Sequence, residues 1–378
     1  MRSGNRDLVT ITSAEQLKTK KNSLIANYAK PDNKTATIQL INTLGPFFLL
    51  WYLAILSLDV SWWLTGGCIA LLILFLLRIF TLMHDAGHNS LFASTPMNKL
   101  SGFMLGVLCG MPQYVWSQNH NYHHTTNGNW SKYRGPLSTL SITEFAALSE
   151  QQKRSYVTLR KFFNAPLGGF MYLIFNPRVN WLKGCIRLIK FILAMKKLAP
   201  EKTVKEIAAL HDSKVWKDNK EFWHMTANNL LLLSIWVLMS WWIGPLAFFA
   251  IYLSSVSLAG AGGIILFTVQ HNFKHAYAAD NEHWDYHQAA LYGTSYLKLP
   301  KLLHWFTADI GYHHIHHLSA RIPNYQLKQC HVANRHLFTC VPRLNLSEIP
   351  QAFDYILWDN KKLRIISVAE FYTLYPAR

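Results

Sequence analysis

Eight histidines in three groups carry the chemistry open to this sequence. His84 and His88 stand at i, i+4. His120, His123 and His124 stand at i, i+3 and i+4, and His313, His316 and His317 repeat that spacing. On a helix, residues three and four apart share one face, so each group presents its imidazoles together. Clustered imidazoles repel one another when protonated, and a metal cation relieves that by holding them neutral. Neutral imidazole is the commonest protein ligand for metals. An all-nitrogen donor set suits Fe, Zn, Cu or Ni. The donor count narrows the choice: a structural zinc site takes four ligands and a catalytic one three, whereas eight or nine imidazoles fit two metals with positions left open. Two redox-active irons can reduce O2 together, and zinc has no redox chemistry.

The other histidines carry weaker signals. His271 follows the last apolar stretch closely and is read as a ninth ligand, with His275 as the alternative. His314 points off the shared face of its helix and is expected to make a hydrogen bond. His211, His224, His283, His287, His304, His331 and His336 have no marked spacing and are read as surface or core residues. Ligating imidazoles usually hand their second N–H to a carboxylate or carbonyl. Asp85 and Asp309 are near enough in sequence to accept one, although a helix cap or surface charge would explain each as well.

The elements that position these residues read as membrane spans. Apolar stretches run over about 38–58, 62–82, 227–243 and 246–269, lengths that suit a bilayer crossing. Asp59-Val60 and Gly244-Pro245 make short turns, so the spans pair as hairpins. Arg78, near the end of the second stretch, is placed to snorkel. Residues 99–115 are apolar but short and broken by glycine, which fits an interfacial or re-entrant segment. Gly260, Gly262 and Gly263 permit close helix packing. With this topology every histidine group falls on one side. Residues 125–222 interleave Lys183, Arg187, Lys190, Lys196 and Lys197 with large apolar residues, the pattern of a surface lying on an anionic leaflet.

Composition supports this reading. Only 15% of the 378 residues are charged, against about a quarter in soluble domains. The mean hydropathy of +0.07 is too low for spans alone, so a large polar part is expected with them. The net charge of +17 comes with no recognisable nucleic-acid module, and no nucleic-acid partner is expected. The positive-inside rule puts the basic loops, the termini and the histidines on the cytoplasmic side. None of the five cysteines forms a Cys-x-x-Cys pair, which fits reduced thiols. No apolar stretch follows the first residues, so no cleavable signal peptide is expected. The resulting fold class is an all-α integral membrane protein, with four transmembrane helices and a cytosolic helical cap carrying the histidines. Its parts are a basic cytoplasmic arm (1–36), a membrane domain (37–345) and a cytoplasmic C-terminal tail (346–378). Arg321, Asn324 and Tyr325 are candidates to touch a lipid head group, with surface packing the simpler reading.

The chain resembles the membrane fatty acid desaturases. The resemblance rests on His84-Asp85-Ala86-Gly87-His88, His120-Asn121-Tyr122-His123-His124, Gln270-His271-Asn272-Phe273 and GYHHIHHLSARIPNY at 311–325, and covers about 40–340. The last stretch is most similar to the omega-6/delta-12-type branch of bacteria and plastids. The resemblance implies a non-haem di-iron centre held by His84, His88, His120, His123, His124, His271, His313, His316 and His317. It implies removal of two hydrogens from a fatty acyl chain, using O2 and two electrons. Asp309 departs from the Asn that this branch often carries. There is no His-Pro-Gly-Gly haem signature, so electrons are expected from a separate protein, ferredoxin-like or cytochrome b5-like. The implied location is a bacterial inner membrane. Two other readings compete: a related di-iron hydroxylase or ketolase acting on a lipid, and a zinc protease built on the 84–88 motif. The second lacks the Glu of His-Glu-x-x-His and leaves the remaining histidines unexplained.

Overall fold

Two long helical hairpins form the frame. The computed structural model describes residues 4–135 and 137–375, with side chains from residue 15 onward; residues 1–3 of the expected arm and 376–378 of the expected tail lie outside them. Helix α1 (Gly4–Tyr28) precedes the first hairpin, made by α2 (Asn33–Ser57) and α3 (Trp62–Gly87). Asp32 starts α2 by accepting the Thr35 N–H at 2.7 Å, which satisfies one of the unpaired amides of a helix N-terminus. Across the turn, the Ser57 and Thr65 hydroxyls meet at 2.8 Å. The second hairpin joins α11 (Asn219–Ile243) to α12 (Pro245–His271) through Gly244. All four helices are long and apolar enough to cross a membrane. Each outruns its apolar stretch at one end or both, and α3 and α12 carry the chain directly into His84 and His271.

Residues 99–115 fold as most of α4 (Thr95–Cys109), a turn, and the first residues of α5 (Gln113–Thr126). Gly110 makes the turn at φ +74, a backbone state that glycine adopts without a Cβ clash. The Gln113 side chain then lies against Gly87, Gly102 and Gly106, where a Cβ would come within 2.8–3.1 Å of it. These three glycines let α3, α4 and α5 meet closely and so fix α5 beside the end of α3.

Between the hairpins come α6 (Ile142–Ala146), α7 (Glu150–Leu159) and α8 (Ala165–Phe170). A π turn at Met171–Phe175 leads from α8 into α9 (Asn176–Leu198), followed by α10 (Val204–Ala209). Helix α8 rests on α12 at backbone contact. A Cβ on Gly169 would stand 2.3 Å from the Ser257 carbonyl, and one on Gly260 would stand 2.8 Å from the Gly169 Cα. Of the three glycines marked for close packing, only Gly260 is used so: Gly262 has ordinary contacts and Gly263 faces open space.

The cap is built by α13 (Tyr286–Tyr292), α14 (Lys301–Phe306), α15 (His313–Leu318), α16 (Asn324–Ala333), α17 (Ile349–Ala352) and α18 (Val368–Leu374). Five strands of two or three residues complete it. β1 (Leu140–Ser141), β4 (Leu357–Asp359) and β5 (Arg364–Ile366) form one sheet in the order β1-β4-β5, and β2 (Tyr296–Leu297) pairs with β3 (Arg343–Leu344). The arm is a docked helix: Leu17 and Leu24 of α1 are buried with Ile315, Leu318 and Leu327, and Lys18 pairs with Asp285 at 3.0 Å. Residues 346–375 are likewise part of the cap, because Leu357, Ile366 and Phe371 share a core with Ile142 and Phe145. Arg78 does not snorkel. It is buried at 2% exposure, donates to Thr43 Oγ1 at 2.9 Å and to the Trp305 carbonyl, and lies over the Trp305 ring at 3.9 Å. It therefore ties α2, α3 and α14 together.

Candidate metal centre

Four elements deliver the nine histidines to one place. His84 lies in the last turn of α3 and His88 follows its end. α5 carries His120, His123 and His124, α12 ends on His271, and α15 carries His313, His316 and His317. The nine divide into two groups: His84, His88, His120, His124 and His316, and His123, His271, His313 and His317. Within each group, one nitrogen from every ring lies within 4.8 Å of all the others. The spacing alone predicts one shared face for each triplet; the structure divides each triplet between the groups. His120 and His124 enter one group and His123 the other, while His313 and His317 enter the second and His316 the first. An i, i+4 pair serves one group and the remaining residue reaches to its neighbour.

The nitrogens are set for a shared cation. The Nε2 atoms of His120 and His124 are 3.0 Å apart, those of His271 and His313 2.9 Å, and those of His123 and His317 3.2 Å. Two nitrogens bound to one first-row metal at about 2.0–2.1 Å stand about 2.9–3.4 Å apart for angles between right and tetrahedral. His316 has no hydrogen-bond partner at either ring nitrogen, and His88 Nε2 has none. Buried polar atoms are normally paired, so these orphaned lone pairs fit a metal. Burial, followed by the neighbouring imidazoles, holds His120, His123, His124, His313, His316 and His317 well below the usual histidine range. His88 is lowered in the same way despite a hydrogen bond with Asn121. These rings are neutral near pH 7, the state that ligation requires.

Hydrogen bonds behind the rings orient two of them. His84 Nδ1 lies 3.0 Å from Asp85 Oδ1, while Asp85 Oδ2 accepts the backbone and side-chain N–H groups of Asn324 at 2.8 and 2.9 Å. His271 Nδ1 donates to the Gly293 carbonyl at 3.1 Å. Each bond fixes the tautomer that leaves Nε2 free to ligate. Trp116 stacks on His120, with ring centres 4.6 Å apart and an interplanar angle of 12°. Asp85 thus takes the supporting position expected of it, whereas Asp309 does not: its Oδ1 is 3.2 Å from His304 Nδ1, away from both groups. His275 faces Arg364, and His314 Nε2 pairs with His331 Nδ1 at 2.9 Å. Asn324 is no head-group contact, since it is buried behind Asp85, and the Tyr325 hydroxyl binds the Leu91 carbonyl at 3.2 Å. Arg321 is exposed. Asn324 and Gly293 have no spacing in the sequence that marks them, because their partners Asp85 and His271 lie 239 and 22 residues away; Trp116, four residues before His120 on α5, had the i, i+4 spacing that could have marked it.

A cavity of about 640 Å³ opens beside the histidines. His84, His120, His123 and His313 form part of its wall. Leu76, Cys109, Val256, Ala259 and Gly260 are among its apolar lining residues, and Ser138, Arg160, Lys161 and Asn164 line it as well. Its volume lies within the range of small-ligand sites, and a largely apolar lining beside the histidines suits a hydrocarbon chain.

Comparison with known proteins points the same way. The family model described as fatty acid desaturase matches residues 61–343. A fatty acid desaturase of Bacillus subtilis is 33% identical over 344 residues, covering 91% of this chain and 88% of that protein. An sn-1 oleoyl-lipid 12-desaturase of Synechocystis is 25% identical over 301 residues, covering 77% and 71%. A chloroplastic omega-6 fatty acid desaturase of Spinacia oleracea is 24% identical over 288 residues, covering 74% and 52%.

Proposed function

Because this chain belongs to the fatty acid desaturase family, we propose that its two histidine groups each hold one iron and that the pair desaturates an acyl lipid of the surrounding membrane. It is a membrane enzyme that introduces a double bond into a fatty acyl chain. The observation that carries the di-iron reading is the partition of nine imidazoles, seven buried and two (His88 and His120) half-buried, into two groups in which three Nε2 pairs face one another at 2.9–3.2 Å. His84, His88, His120, His124 and His316 hold one iron; His123, His271, His313 and His317 hold the other. When bound, the pair supplies the O2 chemistry that removes two hydrogens from adjacent methylenes.

The chain's own residues do the remaining work. Asp85 and the Gly293 carbonyl hold His84 and His271 in their ligating tautomers. Leu76, Val256, Ala259 and Leu173 clasp the hydrocarbon and exclude water, so that only a chosen stretch of chain passes the histidine wall. The acyl group is carried on a lipid of the membrane, a reading supported by the oleoyl-lipid in the names of the Synechocystis and Anabaena relatives. The site faces the cytoplasm of a bacterial inner membrane, where a ferredoxin-like or cytochrome b5-like protein delivers the electrons. The fatty acid profile of a bacterial host expressing the chain tests this, with the His316→Ala variant beside it. A new unsaturated acid of the parent chain length, missing in the variant, supports the reading. A hydroxylated product, or the same unsaturated acid in both, would sink it.

A further inference from the structure

Helix α9 presents two exposed rows that the desaturation site does not use. One is apolar: Leu182, Ile186, Ile189 and Leu193 are 54%, 44%, 56% and 61% exposed. The other is cationic, made of Lys183, Arg187, Lys190 and Lys197, all exposed. At about 100° per residue the two rows run side by side along the helix, with centres about 90° apart. The third side is the packed one. A Cβ on Gly184 would stand 2.4 Å from the Trp216 ring, Phe191 meets His211, and Trp181 Nε1 donates to Thr226 at 3.0 Å. None of the four cations pairs with a carboxylate among the described residues.

We infer that α9 lies in the plane of the membrane surface and binds anionic phospholipid, its aliphatic row in the acyl region and its four cations on the phosphates. Three observations carry this. First, an exposed row of four large aliphatics on a folded chain needs an apolar medium, and a cationic row beside it fits the interface of an anionic leaflet. Second, the packed side sets the depth. Arg178, in the first turn of α9, donates to Asn229 at 2.8 Å and to the Gly110 carbonyl at 2.6 Å. Together with the Trp181–Thr226 bond, this fixes α9 beside the first turns of the membrane helix α11, at the end of the bundle that holds the histidines. Third, the surface is continuous with the cavity. The π turn that feeds α9 supplies Met171, Tyr172 and Leu173 to the cavity wall, and Leu159, Phe163 and Leu167 stay exposed just before it. Anionic lipid gathered along α9 is therefore held next to the compartment that receives an acyl chain.

The test uses the full chain reconstituted in vesicles of mixed phosphatidylglycerol and phosphatidylcholine. A fluorescent amino acid at position 189 is quenched by lipids brominated on the acyl chain, and spin-labelled versions of the two lipids report which associates with the protein. We expect strong quenching at position 189 and a preference for phosphatidylglycerol. In K183Q/R187Q/K190Q/K197Q that preference should fall several-fold, since each cation near an anionic surface favours it by up to about fivefold before salt screening. K183R/K190R/K197R should keep it. Thermal unfolding of both variants at the wild-type temperature shows that the fold survives. No quenching at position 189 would overturn the inference, as would an unchanged lipid preference in the glutamine variant. Neither result touches the desaturase reading, which the product assay tests separately.

Discussion

Asp85→Asn tests the carboxylate that orients His84 in the first histidine group. Asp85 is 2% exposed and serves three donors: His84 Nδ1 on one oxygen and both N–H groups of Asn324 on the other. Asparagine keeps the shape but has one acceptor oxygen. Whichever way its amide turns, an NH2 faces a donor. Turned toward Asn324, the oxygen leaves the His84 N–H against another donor and releases the tautomer that aims Nε2 at the metal. Losing such an orienting partner typically costs about 10–100-fold in metal affinity, or about 1.4–2.7 kcal/mol. That agrees with about 1.5–3 kcal/mol for a hydrogen bond to a charged group. The assay is iron release to a chelator, followed per chain, with turnover measured in parallel. One of two irons should leave at about 10–100-fold lower chelator concentration, while the other, held by His123, His271, His313 and His317, keeps its wild-type midpoint. Unchanged release of both irons would contradict this role of Asp85, and so would equal weakening of both.

Other outcomes follow from the same geometry. His316→Ala removes a ring with no hydrogen-bond partner at either nitrogen, so the protein should reach the membrane at normal levels with reduced iron and no unsaturated product, read by immunoblot, metal analysis and gas chromatography. Gly263→Phe fills cavity space where nothing lies within 4 Å of a new Cβ; product should be lost while both irons stay, and a normal product yield would contradict the cavity assignment. Gly169→Ala forces a Cβ against the Ser257 carbonyl, an overpacking that typically costs about 1–3 kcal/mol and should lower the thermal midpoint by several degrees. The metal-free protein should lose stability as pH falls below about 6.5, the free histidine value. The unfolded chain takes up protons there that the buried rings, with their lowered folded values, refuse. A flat thermal midpoint from pH 7 to 5 would contradict this.

The sequence was most informative where local periodicity and chemistry coincide. The apolar stretches marked all four helices that are both long and apolar enough to cross a membrane, because a bilayer span needs a length that few other features mimic. The histidine spacing marked the residues that gather, because i, i+3 and i+4 neighbours share a helix face. It did not give their division between two groups, which depends on how α3, α5, α12 and α15 are brought together. The supporting residues were harder to read. Asp85 stood beside a histidine and was legible; Asn324, 239 residues from its partner Asp85, was not. Asp309, four residues before His313, went elsewhere and pairs with His304. Arg78 looked like a span-end charge, yet Thr43 and the Trp305 carbonyl, both distant in the chain, satisfy it inside the fold. The docking of α1 was equally hidden, because Leu17 and Leu24 are too few to mark a buried face in a basic segment.

The number and coupling of irons in the purified protein bear most directly on the central claim. Mössbauer spectroscopy of protein grown on enriched iron, with total metal per chain measured alongside, reads both. Two irons per chain in a magnetically coupled pair, reduced to uncoupled or single iron in His316→Ala, is the expected result. One iron per chain, or zinc in both positions of an active preparation, would contradict it.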